Sequence, residues 1–160
     1  MSSAGSHEIV LPIVALYRRF VELSLKECIY VLCFLMRAHD PAFDFNEEQL
    51  KCLRDHPISM LLKLLRTMHA SAERYLQGGK LPSDQALGFA EELAALDDTG
   101  FPSRYLLDKK KRRYITDDWY FNLDVLNKGM EHVRLELSWY ATAVEETAWN
   151  HRNYLADSEP

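Results

Sequence analysis

Hydrophobic residues recur at helical spacing along most of the chain, and the longest such pattern is at its start. It predicts a helix from about Val10 to Arg37, with Pro12 in the first turn and His39-Asp40-Pro41 after the last. At 1.5 Å per residue this helix is about 40 Å long, near the diameter of a whole domain. The chain is therefore expected to be organised around it.

Apolar residues cover most of the circumference of this predicted helix. One stripe consists of Val14, Tyr17, Val21, Leu25, Cys28, Leu32 and Leu35, and a second flank of Leu16, Phe20, Leu23 and Phe34. Only the strip through Arg18, Glu22 and Lys26 is polar. A helix with this pattern is expected to be buried on more than one side, at the centre of a bundle or between subunits.

Capping and stop signals divide the middle of the chain into three shorter helices. Asn46 to Gln49 matches a capping box and predicts a short helix ending near Arg54. Pro57 opens another, running to Gln77, and Gly78-Gly79 stops it. A fourth is predicted from about Ser83 to Leu96. Its core-facing residues are Leu87, Ala90, Leu93 and Ala94.

The longest connection, residues 98–120, precedes the final helix. Within it Arg104–Leu107 and Arg112–Ile115 are predicted to pair as a small hairpin. Asn122 caps a helix reaching about Tyr154. The residues of this helix at spacings of three and four are Leu123, Leu126, Met130, Val133, Leu137, Tyr140 and Val144. The sequence thus predicts an all-α bundle of about five helices with long first and last members.

Composition is consistent with one domain, assigned to residues 8–156, with residues 1–7 as a flexible start. The 160 residues are 48% hydrophobic and carry a formal net charge of -5, so nucleic-acid affinity would need a local patch. The longest uninterrupted apolar run of the first helix is too short for a bilayer, which predicts a soluble protein. Three cysteines without metal-ligand spacing indicate reduced core thiols in a cytoplasmic protein.

Lys109, Lys110, Lys111, Arg112 and Arg113 form the strongest local charge in the chain. Together with flanking tyrosines, such a run is suited to binding single-stranded nucleic acid. The alternative is a solvated hairpin tip.

Glu22 and Lys26 have the spacing of an exposed helical ion pair, contributing about 0.3–0.5 kcal/mol. The alternative is that the polar strip faces a pocket, where partners such as His56 or Arg104 would be needed. The six histidines include no zinc-binding spacing, and no phosphate loop or activated nucleophile is discernible. We therefore predict no metal and no cofactor.

Four short elements, in order, resemble those of HEPN-like bacterial proteins. Residues 21–26 (Val-Glu-Leu-Ser-Leu-Lys) resemble the Glu-Leu-x-Leu-Lys signature of an early helix, and Asp55–Ile58 stands where the family has a His-containing helix start. Residues 92–105 resemble the element that ends in Phe-Arg-Tyr, and Phe121–Leu126 follows at similar spacing. The resemblance spans about residues 20 to 145.

This resemblance implies an all-α bundle, often a dimer packed through long helices, from a family tied to toxin-antitoxin systems, phage defence and RNA. Many members are metal-independent ribonucleases with an Arg-x4-6-His motif, which this chain lacks. The positions carried over are Glu22, Lys26, His56, Arg104 and Tyr105. Arg104 holding Glu22, and thereby pinning the long connection to the bundle, is the structural alternative.

These observations lead to three hypotheses. The first is a non-catalytic HEPN-like homodimer that binds a protein partner or RNA, in a prokaryotic defence or toxin-antitoxin setting. The second is an atypical ribonuclease or nucleotide-handling enzyme using His56, Arg104 and Glu22. The third is an accessory subunit that binds through the aromatic last helix. The predicted binding residues are Glu22, Lys26, His56, Arg104, Tyr105, Lys109, Lys110, Lys111, Arg112 and Arg113; no catalytic residue is assigned.

Overall fold

The computed structural model describes residues 4–55, 57–76, 78–97 and 122–156, and within these ranges the chain is helical without strands. Its helices are α1 (Ala4–His39), α2 (Glu47–Asp55), α3 (Ile58–Ala72), α4 (Asp84–Asp97) and α5 (Leu123–Ala156). A 3-10 turn, Glu73–Tyr75, follows α3 directly. The predicted all-α class, with long first and last helices, is confirmed. The predicted hairpin in the 98–120 connection lies outside the described residues.

The helices begin where the capping residues predict. The backbone N–H of Gln49 donates to Asn46 Oδ1 at 2.9 Å, and the backbone N–H of Asn46 donates to Gln49 Oε1 at 2.9 Å. This reciprocal pattern is that of a capping box. Asn122 Oδ1 accepts from the amides of Asp124 and Val125 at 3.1 and 3.2 Å. These side chains satisfy backbone donors that have no partner inside the first helical turn.

Two helix boundaries differ from the prediction. Helix α1 begins at Ala4 rather than near Val10, so residues 4–7 are helical instead of preceding the helix. Pro12 therefore lies inside the helix, where its ring nitrogen leaves the carbonyl of Glu8 without the usual donor. Helix α3 ends at Ala72, and the 3-10 turn replaces its predicted last turn. Gly78, with φ of 86°, then occupies the left-handed conformation that favours glycine.

Helices α1 and α5 run in the same direction along the bundle. Tyr17 donates to Asn127 Oδ1 at 2.5 Å, and the Cys28 thiol donates to the Leu137 carbonyl at 3.5 Å. Further along both helices, the rings of His39 and His151 stack with centroids 3.6 Å apart. Residues later in α1 contact residues later in α5, so the two helices are parallel.

The shorter helices complete the core beneath this pair. Helix α4 runs opposite to α5, since Ser83, just before α4, contacts Glu136, whereas the later Phe89 lies against the earlier Gly129. The core is contributed by all five helices. Its largest fully buried side chains are Leu25, Ile29, Leu32, Leu35, Ile58, Leu61, Leu62, Leu65, Met68, Leu87, Leu93 and Leu137. The predicted core residues of α4 are all buried.

Helix α1 is not buried on all the sides that the sequence predicts. Its main stripe, represented by Val21, Leu25 and Leu32, lies in the core. The second flank is largely outside, however, with Leu16 69% and Leu23 50% exposed. Within one chain α1 is therefore not enclosed on all sides at the centre of the bundle, and the other expectation, burial between subunits, stays a prediction. Core burial requires only one continuous stripe per helix, and α1 supplies two.

Candidate functional site

A buried ion cluster occupies the polar strip of α1. Glu22 Oε2 accepts from Arg18 Nη1 at 3.0 Å, and Glu22 Oε1 accepts from Arg19 Nη1 at 2.6 Å and Lys26 Nζ at 2.9 Å. The side chains of Glu22 and Arg18 are 1% and 3% exposed, that of Lys26 is 12% exposed, and that of Arg19 is 55% exposed. One carboxylate thus joins three cations.

The helical repeat explains this geometry. Residues three or four positions apart lie next to each other on a helix surface, and Arg18, Arg19 and Lys26 are four, three and four positions from Glu22. The predicted ion pair between Glu22 and Lys26 is present, but it is largely buried and not exposed. A carboxylate this deeply buried is stable only when cations and hydrogen bonds compensate for its lost hydration.

The cluster is suited to holding structure rather than to transferring protons. Both oxygens of Glu22 already accept charge-assisted hydrogen bonds, and its side chain is almost fully enclosed. A general base needs an oxygen that can reach a substrate proton. The sequence pattern placed Arg18, Glu22 and Lys26 on one polar strip of the helix. It did not identify Arg19, three residues before Glu22, as the third cation.

The other predicted site residues fall outside the described part of the chain. These are His56, Arg104, Tyr105, Lys109, Lys110, Lys111, Arg112 and Arg113. Of the carried-over positions, only Glu22 and Lys26 are described, and they are in direct contact. The convergence of His56 and Arg104 on this pair stays a prediction.

The sequence reasoning missed a polar cluster between α4 and α5. Ser83 Oγ lies 3.2 Å from His132 Nε2, and the amide of Ser83 donates to Glu136 Oε2 at 3.2 Å. Glu136 Oε1 is 3.9 Å from the same ring nitrogen, so it does not orient the ring through the opposite nitrogen as a catalytic triad requires. Ser83 also caps α4 by accepting from the Ala86 amide. No sequence signal pairs residues this far apart, and the cluster has a structural role as a helix cap.

An open groove of about 510 Å³ adjoins this cluster. Its walls include Asp84, Phe89, Val125, Lys128 and His132, which combine apolar surface with charges of both signs. The ring of Phe89 covers Gly129 so closely that a Cβ there would overlap it. The groove therefore owes its shape to a glycine in the interior of α5.

A second histidine contact, which is partly buried, joins α3 to α5. His69 Nδ1 and the Tyr140 hydroxyl lie 2.9 Å apart. Burial lowers the pKa of His69 and raises the pKa of Tyr140, with a smaller effect of Cys28 on Tyr140. Since a neutral imidazole and a protonated phenol are both favoured, Tyr140 donates the hydrogen bond to Nδ1. This contact links α3 and α5 through the buried Tyr140.

The three cysteines are buried and free, in agreement with the sequence analysis. Burial raises the pKa of Cys28 to about 12 and also raises those of Cys33 and Cys52. Thiols in this state are protonated at neutral pH, whereas nucleophilic attack needs the thiolate. None of the three is a candidate nucleophile.

The outward side of α1 exposes large apolar side chains. Leu16, Phe20, Leu23 and Tyr30 are 69%, 37%, 50% and 53% exposed, and we call them the α1 outer face. Tyr30 has a ring partner, Phe45, at 5.7 Å, but still presents half of its surface to solvent. An apolar strip of this kind on a globular domain is typical of an interaction surface.

Comparison with protein families, curated proteins and solved structures finds no match to this chain. The resemblance to HEPN-like proteins is therefore neither supported nor contradicted and stays a prediction. Among the described residues, no three histidine, cysteine or acidic side chains are grouped so as to hold a metal ion. None of the helices, over the residues described, combines the length and the hydropathy of a membrane span.

Proposed function

We propose that this chain is a non-catalytic helical protein that forms a homodimer and binds a protein partner or RNA. The observation that carries the proposal is the α1 outer face, where four large apolar side chains remain exposed although α1 already supplies one full stripe to the core. Homodimer interfaces are more apolar than the rest of a protein surface, and covering such a strip stabilises the assembly.

The ion cluster supports the non-catalytic part of the proposal. The enzymatic alternative uses His56, Arg104 and Glu22, and of these three only Glu22 lies in the part of the chain that the structure describes. Its side chain is enclosed, and both carboxylate oxygens accept hydrogen bonds from cations. Its role is then to neutralise the cations of the polar strip of α1, the helix that carries the outer face. The HEPN-like character and the defence or toxin-antitoxin setting rest on the sequence resemblance alone.

A protein partner is favoured over RNA. The formal net charge is -5, which disfavours binding of a polyanion. RNA binding would instead depend on Lys109 to Arg113, and replacing these five residues by serine separates the two cases. RNA recovered with the wild type and lost in that variant would identify RNA as the ligand.

Light scattering after size-exclusion chromatography tests the dimer. We expect the wild type to elute with twice the mass of one chain, and Leu16→Glu to elute as a monomer with an unchanged helical spectrum. Met60→Glu is the matched control, because Met60 is 46% exposed on α3. A wild-type monomer at high micromolar concentration would refute the proposal. Cleavage of labelled RNA in the presence of EDTA would refute its non-catalytic part.

A further inference from the structure

The α1 outer face runs along one side of the helix and is interrupted once, by the exposed Glu27 between Leu23 and Tyr30. Leu16, Phe20, Leu23 and Tyr30 follow one another at intervals of four, three and seven residues, so all four point away from the buried stripe. From Leu16 to Tyr30 the strip extends about 21 Å, or roughly four helical turns. This length is sufficient for one helix to pack along another.

Two opposite charges lie at equal distances from Leu23, Arg19 at the edge of the strip and Glu27 within it, between Leu23 and Tyr30. Arg19 precedes Leu23 by four residues and Glu27 follows it by four. Arg19 is half-exposed and uses Nη1 for Glu22, which leaves further N–H donors on its guanidinium. Glu27 is exposed and has no ion-pair partner among the described residues. Leu16 and Tyr30 also lie at equal distances from Leu23, at the two ends of the strip.

We infer that two copies of the chain pack through the α1 outer face with their α1 helices antiparallel and centred on Leu23. The inference rests on the proposed homodimer and adds its geometry. In a two-fold interface, if one residue of a subunit contacts a given residue of the partner, the same two positions also meet with the subunits exchanged. With this centre, Leu23 meets Leu23 of the partner subunit, Leu16 meets the partner's Tyr30, and Arg19 meets the partner's Glu27.

Charge decides between the antiparallel and parallel arrangements. Parallel α1 helices in register would bring Arg19 next to the partner's Arg19 and Glu27 next to the partner's Glu27, which is repulsive at both positions. The antiparallel arrangement replaces two like-charge pairs by two Arg–Glu pairs. Like charges that meet across helices disfavour a register, and opposite charges that meet across helices set the orientation of the partner. The same apolar strip is buried in either case.

Cysteine crosslinking tests this register. Leu23→Cys would lie beside its own copy near the two-fold axis, so we expect a disulfide-linked dimer under mild oxidation. Leu16→Cys is the matched control, because in the antiparallel register its two copies are about 21 Å apart, well beyond the reach of a disulfide of roughly 7 Å between Cα atoms. The native cysteines are buried and do not interfere.

Reversal of one charge provides an independent measurement that does not depend on crosslinking. Glu27→Arg places a cation next to the partner's Arg19 twice per dimer, and we expect the dissociation constant to rise at least tenfold over the wild type. Glu27→Gln, which only removes the attraction, should have a smaller effect. In the parallel register, reversal would exchange one like-charge pair for another and leave the constant unchanged.

The outcomes separate this inference from the proposed function. A dimer in which Leu23→Cys crosslinks and Leu16→Cys does not supports the register. A dimer in which both variants crosslink equally, or neither does, overturns the register and leaves the homodimer intact. An unchanged dissociation constant for Glu27→Arg overturns it as well. A monomeric wild type overturns both.

Discussion

Replacing Glu22 by alanine removes the carboxylate shared by Arg18, Arg19 and Lys26. The Glu22 side chain is 1% exposed, and those of Arg18 and Lys26 are 3% and 12% exposed, so the cations lose their attraction where water cannot compensate. Breaking a buried ion pair by removing one partner costs about 3–5 kcal/mol. For a domain of this size, about 2–4 °C of melting temperature corresponds to each kcal/mol, so we expect a decrease of roughly 6–20 °C.

The comparison with an exposed pair makes this prediction specific. Arg66 donates to Glu91 Oε1 at 2.7 Å, but both side chains are about half-exposed, at 44% and 51%. Glu91→Ala is expected to cost about 0–1 kcal/mol, because surface ion pairs contribute little. Urea unfolding of the wild type and the two variants at pH 7 gives both free energies of unfolding. Equal losses for Glu22→Ala and Glu91→Ala would refute the reasoning that burial makes the α1 cluster important.

Two further measurements test contacts between the helices. Gly129→Ala alone should bring no gain in stability, because the new Cβ would overlap the Phe89 ring; in a Phe89→Ala background the same change should stabilise by about 0.5–1 kcal/mol through helix propensity. A full gain from Gly129→Ala in the wild-type background would contradict the placement of Phe89. Burial lowers the pKa of His69 from its ordinary 6.5, so the unfolded chain binds a proton at a higher pH than the folded chain does. The contribution of His69 to the free energy of unfolding should therefore be fully present above pH 6.5 and be lost as the pH falls below it. His69→Gln should flatten that decline in unfolding experiments between pH 7.5 and 5, whereas an unchanged slope would exclude His69 as its source.

Local signals in the sequence predicted the helices well. Asn46 with Gln49, Asn122 and Gly78 act within a few residues of their own position, so their effect does not depend on the rest of the fold. The all-α class follows from the same periodicity. The start of α1 was misplaced because Pro12 was expected in a first turn, whereas the helix tolerates it further inside.

The orientation of α1 and most of the polar contacts were less predictable. Periodicity separates Arg18 and Glu22 from Leu16 as different sides of a helix, but it does not decide which side faces the core. The structure buries the charged side because Arg18 and Glu22 compensate each other, and leaves Leu16 outside. The contact between Ser83 and His132 joins distant parts of the chain and has no local signal.

The parallel pairing of α1 and α5 has a consequence for how the chain acquires its structure during synthesis. Tyr17 and Asn127 are 110 positions apart, and Cys28 and Leu137 are 109 apart. When α1 leaves the ribosome, the helix that covers part of its core stripe has not yet been made. Contacts of such large sequence separation slow folding, and uncovered apolar surface favours aggregation in the meantime. A nascent chain of this protein is therefore expected to bind a holding chaperone until α5 emerges.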